Sequence, residues 1–474
     1  MRLHLPGLLG LLQAGRAIAQ LGENEQAEGE YPGLEVISRD VAIVGGGASG
    51  TYAAIKLRDM NYTVSLIERG DRLGGHTETY IDPDTGTPVD YGVQIFHNSD
   101  ITRRFFDRFG VPLTSLNTSG AEVLYFDFST GKRVNYTTPD ATAAFQAYLG
   151  QLDKYPYLQE GFDLPDPVPT DLLLPFGEFI RKYELDDLAR EASRYGQGIG
   201  HFLELPTIYV LKFETMRDAR SGFLTTARHN NSEIYSLALS ELGSDVHLQS
   251  SVLSASYQNS SSSAPGGHPV RLVTQTPSGT KVILAKKLLI AIPPTPENLR
   301  PFSLDSRQQT LFSRFRNSYY FTGILKNTGI DQYASIQNVD PTRPYAIADI
   351  PGAYYFVSTR VPGMVRVTYA APARTSVQEA QAGVVDTLQR LRGAGDLQFS
   401  TAADAQLGFL AFADHSPYEL VVSADEIENG FYRELYALQG HRDTWWTGAA
   451  WHTHDTSPLW QFTEGVVGRL VEGL

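Results

Sequence analysis

Apolar and polar positions follow two different periods near the start of the chain. Residues 41–44 form a short apolar run typical of a buried parallel strand, and residues 51–60 have the spacing of a helix. Residues 63–67 form a second apolar run. A strand, a helix and a second strand in this order are typical of doubly wound folds, so the pattern predicts a Rossmann-type α/β domain.

The turn between the first predicted strand and the helix has the spacing G-x-G-x-x-G, formed by Gly45, Gly47 and Gly50. The first glycine permits a tight turn, the second lets the backbone approach a pyrophosphate, and the third lets the helix pack against the strand. The N–H groups at the helix start, including those of Ala48 and Ser49, then face the anion.

Glu68 follows the second predicted strand, 18 residues after Gly50. At this position a carboxylate can accept hydrogen bonds from ribose hydroxyls. The two strands, the helix, the glycine turn and this acid together predict a dinucleotide cofactor.

A second block of residues separates FAD from NAD. After Glu68 the chain reads Arg69-Gly-Asp-Arg72-Leu-Gly74-Gly75-His76, and later Val89-Asp90-Tyr-Gly92-Val93-Gln94-Ile95. This arrangement resembles the amine oxidase and phytoene desaturase superfamily of flavoproteins. The resemblance implies that FAD binds here and that Arg72 lies at its pyrophosphate. It also implies FAD contacts by a set of neighbouring residues: Arg69, Gly74, Gly75, His76, Gly92, Val93, Gln94 and Ile95.

Within that superfamily, the chain resembles the fungal β-cyclopiazonate dehydrogenase-like enzymes from about residue 36 to its C-terminus. The resemblance rests on His76 after the Gly-Gly pair, on residues 90–97, and on Trp446-Thr-Gly-Ala-Ala-Trp-His452 and Leu459-Trp-Gln-Phe-Thr-Glu464. Amine oxidases have an arginine where this chain has His76, so an amine substrate is not expected.

The chain is predicted to form two domains. The FAD-binding domain comprises residues 36–96, 230–294 and 446–474, and an α+β substrate-binding domain comprises residues 97–229 and 295–445. Predicted helices cover residues 100–109, 141–152, 176–183, 185–195, 233–242 and 376–391. Predicted strands cover residues 246–257, 270–276, 281–284, 287–292, 319–325, 354–358 and 365–369, and residues 258–267 form an exposed loop. By the resemblance, the backbone of Val252 meets the adenine.

The C-terminal pattern predicts a helix over residues 459–474, with Ser457 as its N-cap and Pro458 at the first helical position. In the resembling folds this helix end lies at flavin N1 and C2=O, where its dipole stabilises the negative charge of the reduced flavin. The resemblance therefore adds Gly448, Ser457, Leu459 and Trp460 to the predicted FAD contacts.

Candidate catalytic side chains lie beside both predicted flavin segments: Gln94, His97, Trp451 and His452. His97 can act as a base or cap the next helix, and Trp451 can stack on a substrate or belong to the core. His454 is a further candidate, but no third ligand pattern supports a metal site. Since the chain has no cysteine, His76 is either a non-covalent flavin contact or the covalent 8α attachment point.

Composition narrows the class of partner. The 474 residues are 42% hydrophobic and 11% aromatic, enough for two domains with sizeable cores. The net charge of −14, with no basic run, argues against nucleic acid and anionic membranes, so a small hydrophobic or aromatic substrate is expected.

Residues 1–19 have the organisation of a secretory signal peptide. They begin with Arg2, continue with an apolar stretch and end with Ala17-Ile18-Ala19 before Gln20. The alternative is a structured N-terminal helix. No stretch reaches the roughly 18 apolar residues of a transmembrane helix. In a secreted protein the sequons would be glycosylation acceptors, at Asn61, Asn117, Asn135, Asn230 and Asn259.

The predicted function is a secreted FAD-dependent oxidase or dehydrogenase that removes hydride from a C–H bond of a hydrophobic metabolite. Since one dinucleotide loop leaves no separate NAD(P)H site, molecular oxygen is the expected electron acceptor. The resemblance also implies a possible oxidative cyclisation. A hydrolase is not expected, because the chain has no G-x-S-x-G turn. The alternatives are a flavin-dependent double-bond isomerase of polyunsaturated fatty acids and a non-catalytic FAD-containing binding protein.

Overall fold

The computed structural model describes residues 33–116, 122–213, 222–257, 268–400 and 406–474. The predicted signal peptide, the sequons at Asn117 and Asn259 and the predicted loop 258–267 lie outside these residues. Within them, no helix is both long enough and apolar enough to cross a membrane.

A seven-stranded sheet, here called the cofactor sheet, confirms the predicted α/β fold. Its strands lie in the order Val246–His247, Val64–Ile67, Glu35–Val44, Gly279–Ile290, Val270–Thr276 and Ser251–Tyr257, and Thr444–Trp446 also pairs with Gly279–Ile290. Val270–Thr276 runs antiparallel to both of its neighbours, and the other strands run parallel to one another. Val41 to Val44 are buried, as expected for a strand covered on both faces.

One long strand replaces two predicted ones in this sheet. Gly279–Ile290 is continuous, whereas the sequence pattern predicted separate strands at 281–284 and 287–292. It pairs in register with the whole of Glu35–Val44, from Glu35 opposite Lys281 to Val44 opposite Ile290. The two predicted strands are therefore two halves of Gly279–Ile290. The paired strand Glu35–Val44 is also longer than its apolar run at residues 41–44.

Helices cover the cofactor sheet and fill much of the remaining volume. The α-helices are Ala48–Asp59, Asp100–Arg108, Thr142–Leu152, Thr170–Leu173, Phe176–Lys182, Asp186–Tyr195, Thr207–Phe213, Glu233–Leu242, Pro296–Leu299, Ser306–Phe312, Val377–Ala394, Ala424–Glu428, Phe431–Tyr436 and Thr456–Val471. Short 3₁₀ turns lie at Pro156–Gln159, Gly243–Asp245, Pro344–Ala346, His441–Asp443 and Ala449–Trp451.

An eight-stranded sheet, here called the substrate sheet, forms the second layer. Its order is Gly408–Asp414, Arg316–Lys326, Met364–Ala371, Gly352–Ser358, Ala334–Asn338, Glu122–Asp127 and Lys132–Arg133, with Tyr418–Val421 also paired to Arg316–Lys326. Smaller sheets join Thr79–Ile81 to Pro88–Asp90, and Phe96–His97 and Leu113–Ser115 to Phe223–Thr226. The predicted domain boundaries stay predictions.

The C-terminal helix begins earlier than its sequence pattern predicted. It spans Thr456–Val471, and its N-cap is Asp455, whose carboxylate accepts a hydrogen bond from the Ser457 N–H at 3.1 Å. The prediction of Ser457 as N-cap was therefore wrong. Pro458 occupies the third helical position, where its missing N–H costs no intrahelical bond.

Candidate cofactor and substrate site

A cavity of about 620 Å³ opens at the carboxyl ends of the parallel strands of the cofactor sheet. Ligands of open parallel sheets bind at this edge, and the volume is within the range of small-molecule sites. Many of the predicted FAD contacts line it: Gly45, Gly47, Ala48, Ser49, Glu68, Arg69, Arg72, Gly74, Gly75, His76, Val93, Val252, Gly448 and Leu459.

The glycine turn has the geometry that a pyrophosphate requires. Gly45 has a φ of +104°, which favours glycine, and a Cβ on Gly50 would lie 1.8 Å from the Gly45 carbonyl oxygen. Gly47 differs, because a Cβ there would meet only the Gly75 Cα, at 3.9 Å. Gly47 thus forms an open backbone cradle at the start of the helix Ala48–Asp59, which fits the phosphates of FAD.

Glu68 lies at the end of its strand, where the sequence pattern placed the ribose contact. Its Oε2 accepts a hydrogen bond from the Gly46 N–H at 2.6 Å, and its Oε1 accepts one from the Gly70 N–H at 2.7 Å. These bonds fix the carboxylate at the cavity wall, with lone pairs left for ribose hydroxyls.

Arg72 organises the segment that follows. Its guanidinium donates to the carbonyl oxygens of Gly75 and Thr77, each at 2.8 Å, and to Glu78 Oε1 at 2.5 Å. These hydrogen bonds fix the conformation of the loop that contains Gly74 and Gly75. The Arg72 side chain also lines the cavity, where the pyrophosphate contact was predicted.

Three histidines form a stack at the cavity wall. The His76 ring lies 4.2 Å from the His415 ring and 5.9 Å from the His454 ring, with interplanar angles of 11° and 1°. Burial holds the pKa of His76 well below its usual range and lowers the pKa of His454 to about 3. His76 and His454 are therefore neutral at physiological pH.

His415 is the site residue that the sequence pattern did not reveal. It follows the strand Gly408–Asp414, and its Nε2 lies 3.7 Å from Glu78 Oε2. Burial alone would raise the pKa of Glu78, but the neighbouring His415 and Arg72 hold it below its usual value. The Asp414-His415-Ser416-Pro417 turn was the only available signal, and turns of this composition are common.

A buried carboxyl lies behind the stack. The Glu419 N–H donates to His454 Nε2 at 2.9 Å, so this nitrogen is the acceptor and the imidazole proton is on Nδ1. Burial raises the pKa of Glu419 to about 8, opposed by the charge of Lys212. Lys212 is itself buried and donates to the carbonyl oxygens of Leu158 and Gly161.

Several predicted site residues lie in the core, away from the cavity. Trp451 is fully buried against Trp446, at 5.8 Å, so the substrate-stacking alternative for Trp451 was wrong. His452 is buried and bonds the Gln159 carbonyl oxygen at 2.8 Å. His97 is buried and pairs through Nε2 with Asp455 at 2.5 Å. Both histidines hold elements together and do not line the cavity.

Other predicted FAD contacts support the site indirectly. Trp460 is fully buried, and its Nε1 donates to the Ala48 carbonyl oxygen at 3.1 Å, which fixes the dinucleotide helix. Ser457 Oγ accepts from the His97 N–H at 3.0 Å. A Cβ on Gly92 would lie 2.0 Å from the His76 carbonyl oxygen, so this glycine is required by the adjacent loop. Three other predicted FAD contacts do not line the cavity: Gly50, Gln94 and Ile95.

Proteins of similar sequence agree with the assignment of the cavity to a dinucleotide cofactor. A family model described as an NAD(P)-binding Rossmann-like domain matches residues 43–109. The chain is 39% identical over 468 residues to the FAD-dependent oxidoreductase dbaF of Emericella nidulans, covering 96% of each chain. It is 34% identical over 443 residues to the β-cyclopiazonate dehydrogenase of Aspergillus oryzae, covering 92% of this chain and 94% of that one.

Solved structures show the same fold. A conjugated-linoleic-acid-producing fatty acid isomerase from P. acnes aligns with a TM-score of 0.68 at 18% identity, covering 91% of this chain and 98% of that one. A putrescine oxidase aligns with a TM-score of 0.64 at 16% identity, covering 92% of this chain and 100% of that one. At these identities the likeness concerns the fold alone.

Proposed function

The chain belongs to the fungal family of FAD-dependent oxidoreductases that includes β-cyclopiazonate dehydrogenase, and from this premise we propose that it removes hydride from a C–H bond of a hydrophobic secondary metabolite. The observation that carries the proposal is the shared cavity. It joins the nucleotide cradle at Gly47 to a wall built from loops of the substrate sheet at His415. A non-catalytic binding protein is not supported, since the relatives are named as enzymes.

FAD, when bound, supplies the hydride acceptor, and the protein's residues bind, orient and insulate it. The helix Ala48–Asp59 would present its N-terminus to the pyrophosphate, and Glu68 would accept hydrogen bonds from the ribose. His76 and His454 contribute a flat, neutral surface at the other part of the cavity.

Aromatic side chains support a hydrophobic, aromatic substrate. Tyr418 stacks on His454 at 4.0 Å and lies tilted against Tyr320 at 4.9 Å, and Tyr320 lies 6.1 Å from His415. His415 and His454 line the cavity, and the two tyrosines lie behind them on strands of the substrate sheet. Thr322 of the same strand donates to the Tyr91 carbonyl oxygen, which ties the substrate sheet to the predicted flavin segment.

Molecular oxygen is the proposed electron acceptor, and the extracellular space or secretory lumen is the proposed location. The single glycine turn of the Rossmann type and the composition of residues 1–19 support these assignments. An oxidative cyclisation, in which an internal carbon nucleophile traps the desaturated product, is proposed from the family resemblance.

The test begins with anaerobic mixing of the purified flavoprotein with a panel of hydrophobic aromatic metabolites that includes β-cyclopiazonate. We expect at least one compound to bleach the flavin absorbance, and admission of air to restore it with oxygen uptake. The control is the Gly47→Val variant, which should lack flavin.

Each alternative has its own outcome in this experiment. Conversion of a polyunsaturated fatty acid to a double-bond isomer, with no oxygen uptake, would replace the oxidase by an isomerase. Bleaching that air does not reverse would contradict oxygen as the acceptor. Absence of bleaching by every compound in the panel would count against an aromatic metabolite substrate.

A further inference from the structure

Arg366 lies in the middle of the substrate sheet. Its strand Met364–Ala371 is hydrogen-bonded between two others, so that Arg366 is opposite Ile324 on one side and Val357 on the other. The guanidinium carbon lies 5.5 Å from the centre of the Tyr355 ring. Arg366 is half-buried, which is an unusual position for a charged side chain within a sheet.

The hydrogen bonds of this guanidinium are incomplete. Nη1 donates to Gln94 Oε1, while Nε is buried without an acceptor. Among the residues that the structure describes, no carboxylate forms an ion pair with Arg366. A buried N–H donor without an acceptor is costly unless a ligand supplies one.

The nearest acid does not fill this role. Asp90 Oδ1 already accepts from Thr79 Oγ1 at 2.5 Å and from the Asn231 N–H at 2.9 Å. Burial raises the pKa of Asp90 to about 6, although the charges of Arg366 and Arg360 oppose this. The field of Arg366 reaches Asp90, but the Nε of Arg366 stays without an acceptor.

Gln94 connects the guanidinium to the predicted flavin segment. It is adjacent in sequence to Val93, which lines the cavity, and its Nε2 donates to the Asp90 carbonyl oxygen at 3.3 Å. The amide is thereby held with its oxygen towards Arg366. The fork of Arg366 is fixed between the flavin segment and the Tyr355 ring, and a planar carboxylate is the group that fits such a fork.

We propose that Arg366 is the anchor for a carboxylate on the substrate, with Gln94 as its positioning residue and Tyr355 as a neighbouring ring surface. This inference rests on the proposed function and narrows its substrate class to acidic aromatic compounds. The anchor holds the substrate by its anionic end, so that a C–H bond at the other end faces the flavin.

The test compares indole-3-acetate with indole-3-acetamide, which has the same shape and no charge. Each probe is titrated into the FAD-loaded protein, and binding is followed by the perturbation of the flavin absorption spectrum. We expect the wild-type protein to bind the carboxylate at least tenfold more tightly than the amide. Arg366→Gln should abolish this preference, whereas Arg366→Lys should keep part of it because the charge remains.

Arg360→Gln is the matched control, because Arg360 is an exposed arginine near the same Asp90. It should keep the full preference. Equal binding of the two probes by the wild-type protein, no spectral response to the carboxylate at millimolar concentration, or a preference that survives Arg366→Gln would each overturn the proposal.

The flavin itself separates this failure from failure of the proposed function. A wild-type protein that binds FAD and is reoxidised by air after photoreduction, yet shows no carboxylate preference, contradicts only the role of Arg366. A wild-type protein without FAD contradicts the proposed function. If Arg366→Gln does not retain flavin, Arg366→Lys is compared with the wild-type protein instead. Lysine keeps the charge but lacks the fork geometry, so this variant should show a weaker preference for the carboxylate probe, and an unchanged preference would overturn the proposal.

Discussion

Replacement of Gly47 by valine tests the cofactor cradle directly, because the structure predicts loss of FAD without loss of the fold. Gly47 has φ −69° and ψ −170°, which an L-residue can adopt. A Cβ at this position would meet only the Gly75 Cα at 3.9 Å, so the valine would project into the cavity and not into the protein.

The magnitude follows from the contacts that a displaced pyrophosphate would lose. A hydrogen bond from a backbone N–H to a charged group contributes about 1.5–3 kcal/mol. If the valine side chain separates the phosphates from the N–H groups of Ala48 and Ser49, the loss is about 3–6 kcal/mol. At about 1.4 kcal/mol per factor of ten, FAD affinity should fall roughly 10²- to 10⁴-fold.

The assay measures bound flavin by absorbance after desalting, and thermal unfolding of the apoprotein by circular dichroism. Gly47→Val should unfold cooperatively, near the melting temperature of wild-type apoprotein. Gly468→Ala is the matched control, because a Cβ there has no atom within 4 Å in the described structure and should leave flavin binding unchanged. Gly50→Ala should disrupt the fold itself, since its Cβ would lie 1.8 Å from the Gly45 oxygen.

Full FAD occupancy with unchanged affinity in Gly47→Val would refute the placement of the pyrophosphate at this turn. Loss of flavin accompanied by loss of cooperative unfolding would instead show that Gly47 is needed for folding. The pair Gly47→Val and Gly50→Ala therefore separates the cradle from the helix packing.

Three further predictions follow from the structure. Asp455→Ala should lower the free energy of unfolding in urea by about 1 kcal/mol more than Asp455→Asn, because asparagine is an equally good N-cap; equal losses would contradict the cap. Glu419 has a pKa raised to about 8, so its folded state retains a proton that the unfolded state releases above its ordinary pKa of 4.5. The wild-type protein should therefore lose stability relative to Glu419→Gln by up to about 1.4 kcal/mol per pH unit between these values and no further above pH 8; a pH-independent difference would place this carboxyl elsewhere. Expression in a eukaryotic secretory host should give a mature chain that begins near Gln20 and shifts in mobility with glycosidase, and an intact Met1 without glycan would contradict the proposed secretion.

The nucleotide half of the site could be predicted because its determinants are local. Gly45, Gly47 and Gly50 fix one turn, and Glu68 follows the next strand within the same unit. The observed strands and helices differ from the predicted ones mainly at their first and last residues. Glu35–Val44 extends beyond the apolar residues 41–44 because its partner Gly279–Ile290 supplies hydrogen bonds along its whole length.

The histidine stack could not be predicted, because its members come from three distant segments. His76 follows the Gly-Gly pair, His415 lies between two strands of the substrate sheet, and His454 precedes the C-terminal helix. Their contact depends on how the two sheets are placed. The sequence left Trp451 open between substrate stacking and the core; in the structure Trp446, Trp451 and Trp460 are all fully buried, since large apolar rings are most stable there.

The first turn of the C-terminal helix offers few free N–H groups to the predicted flavin site. The resemblance placed this helix end at flavin N1 and C2=O. In the structure Asp455 takes the Ser457 N–H, and Pro458 has none, so Thr456 provides the remaining N–H of the first turn. His76 and His454 are neutral, since burial holds the pKa of both below physiological pH. Electrostatic support for negative charge at the start of this helix therefore rests on the helix dipole and a single backbone N–H, and not on His76 or His454.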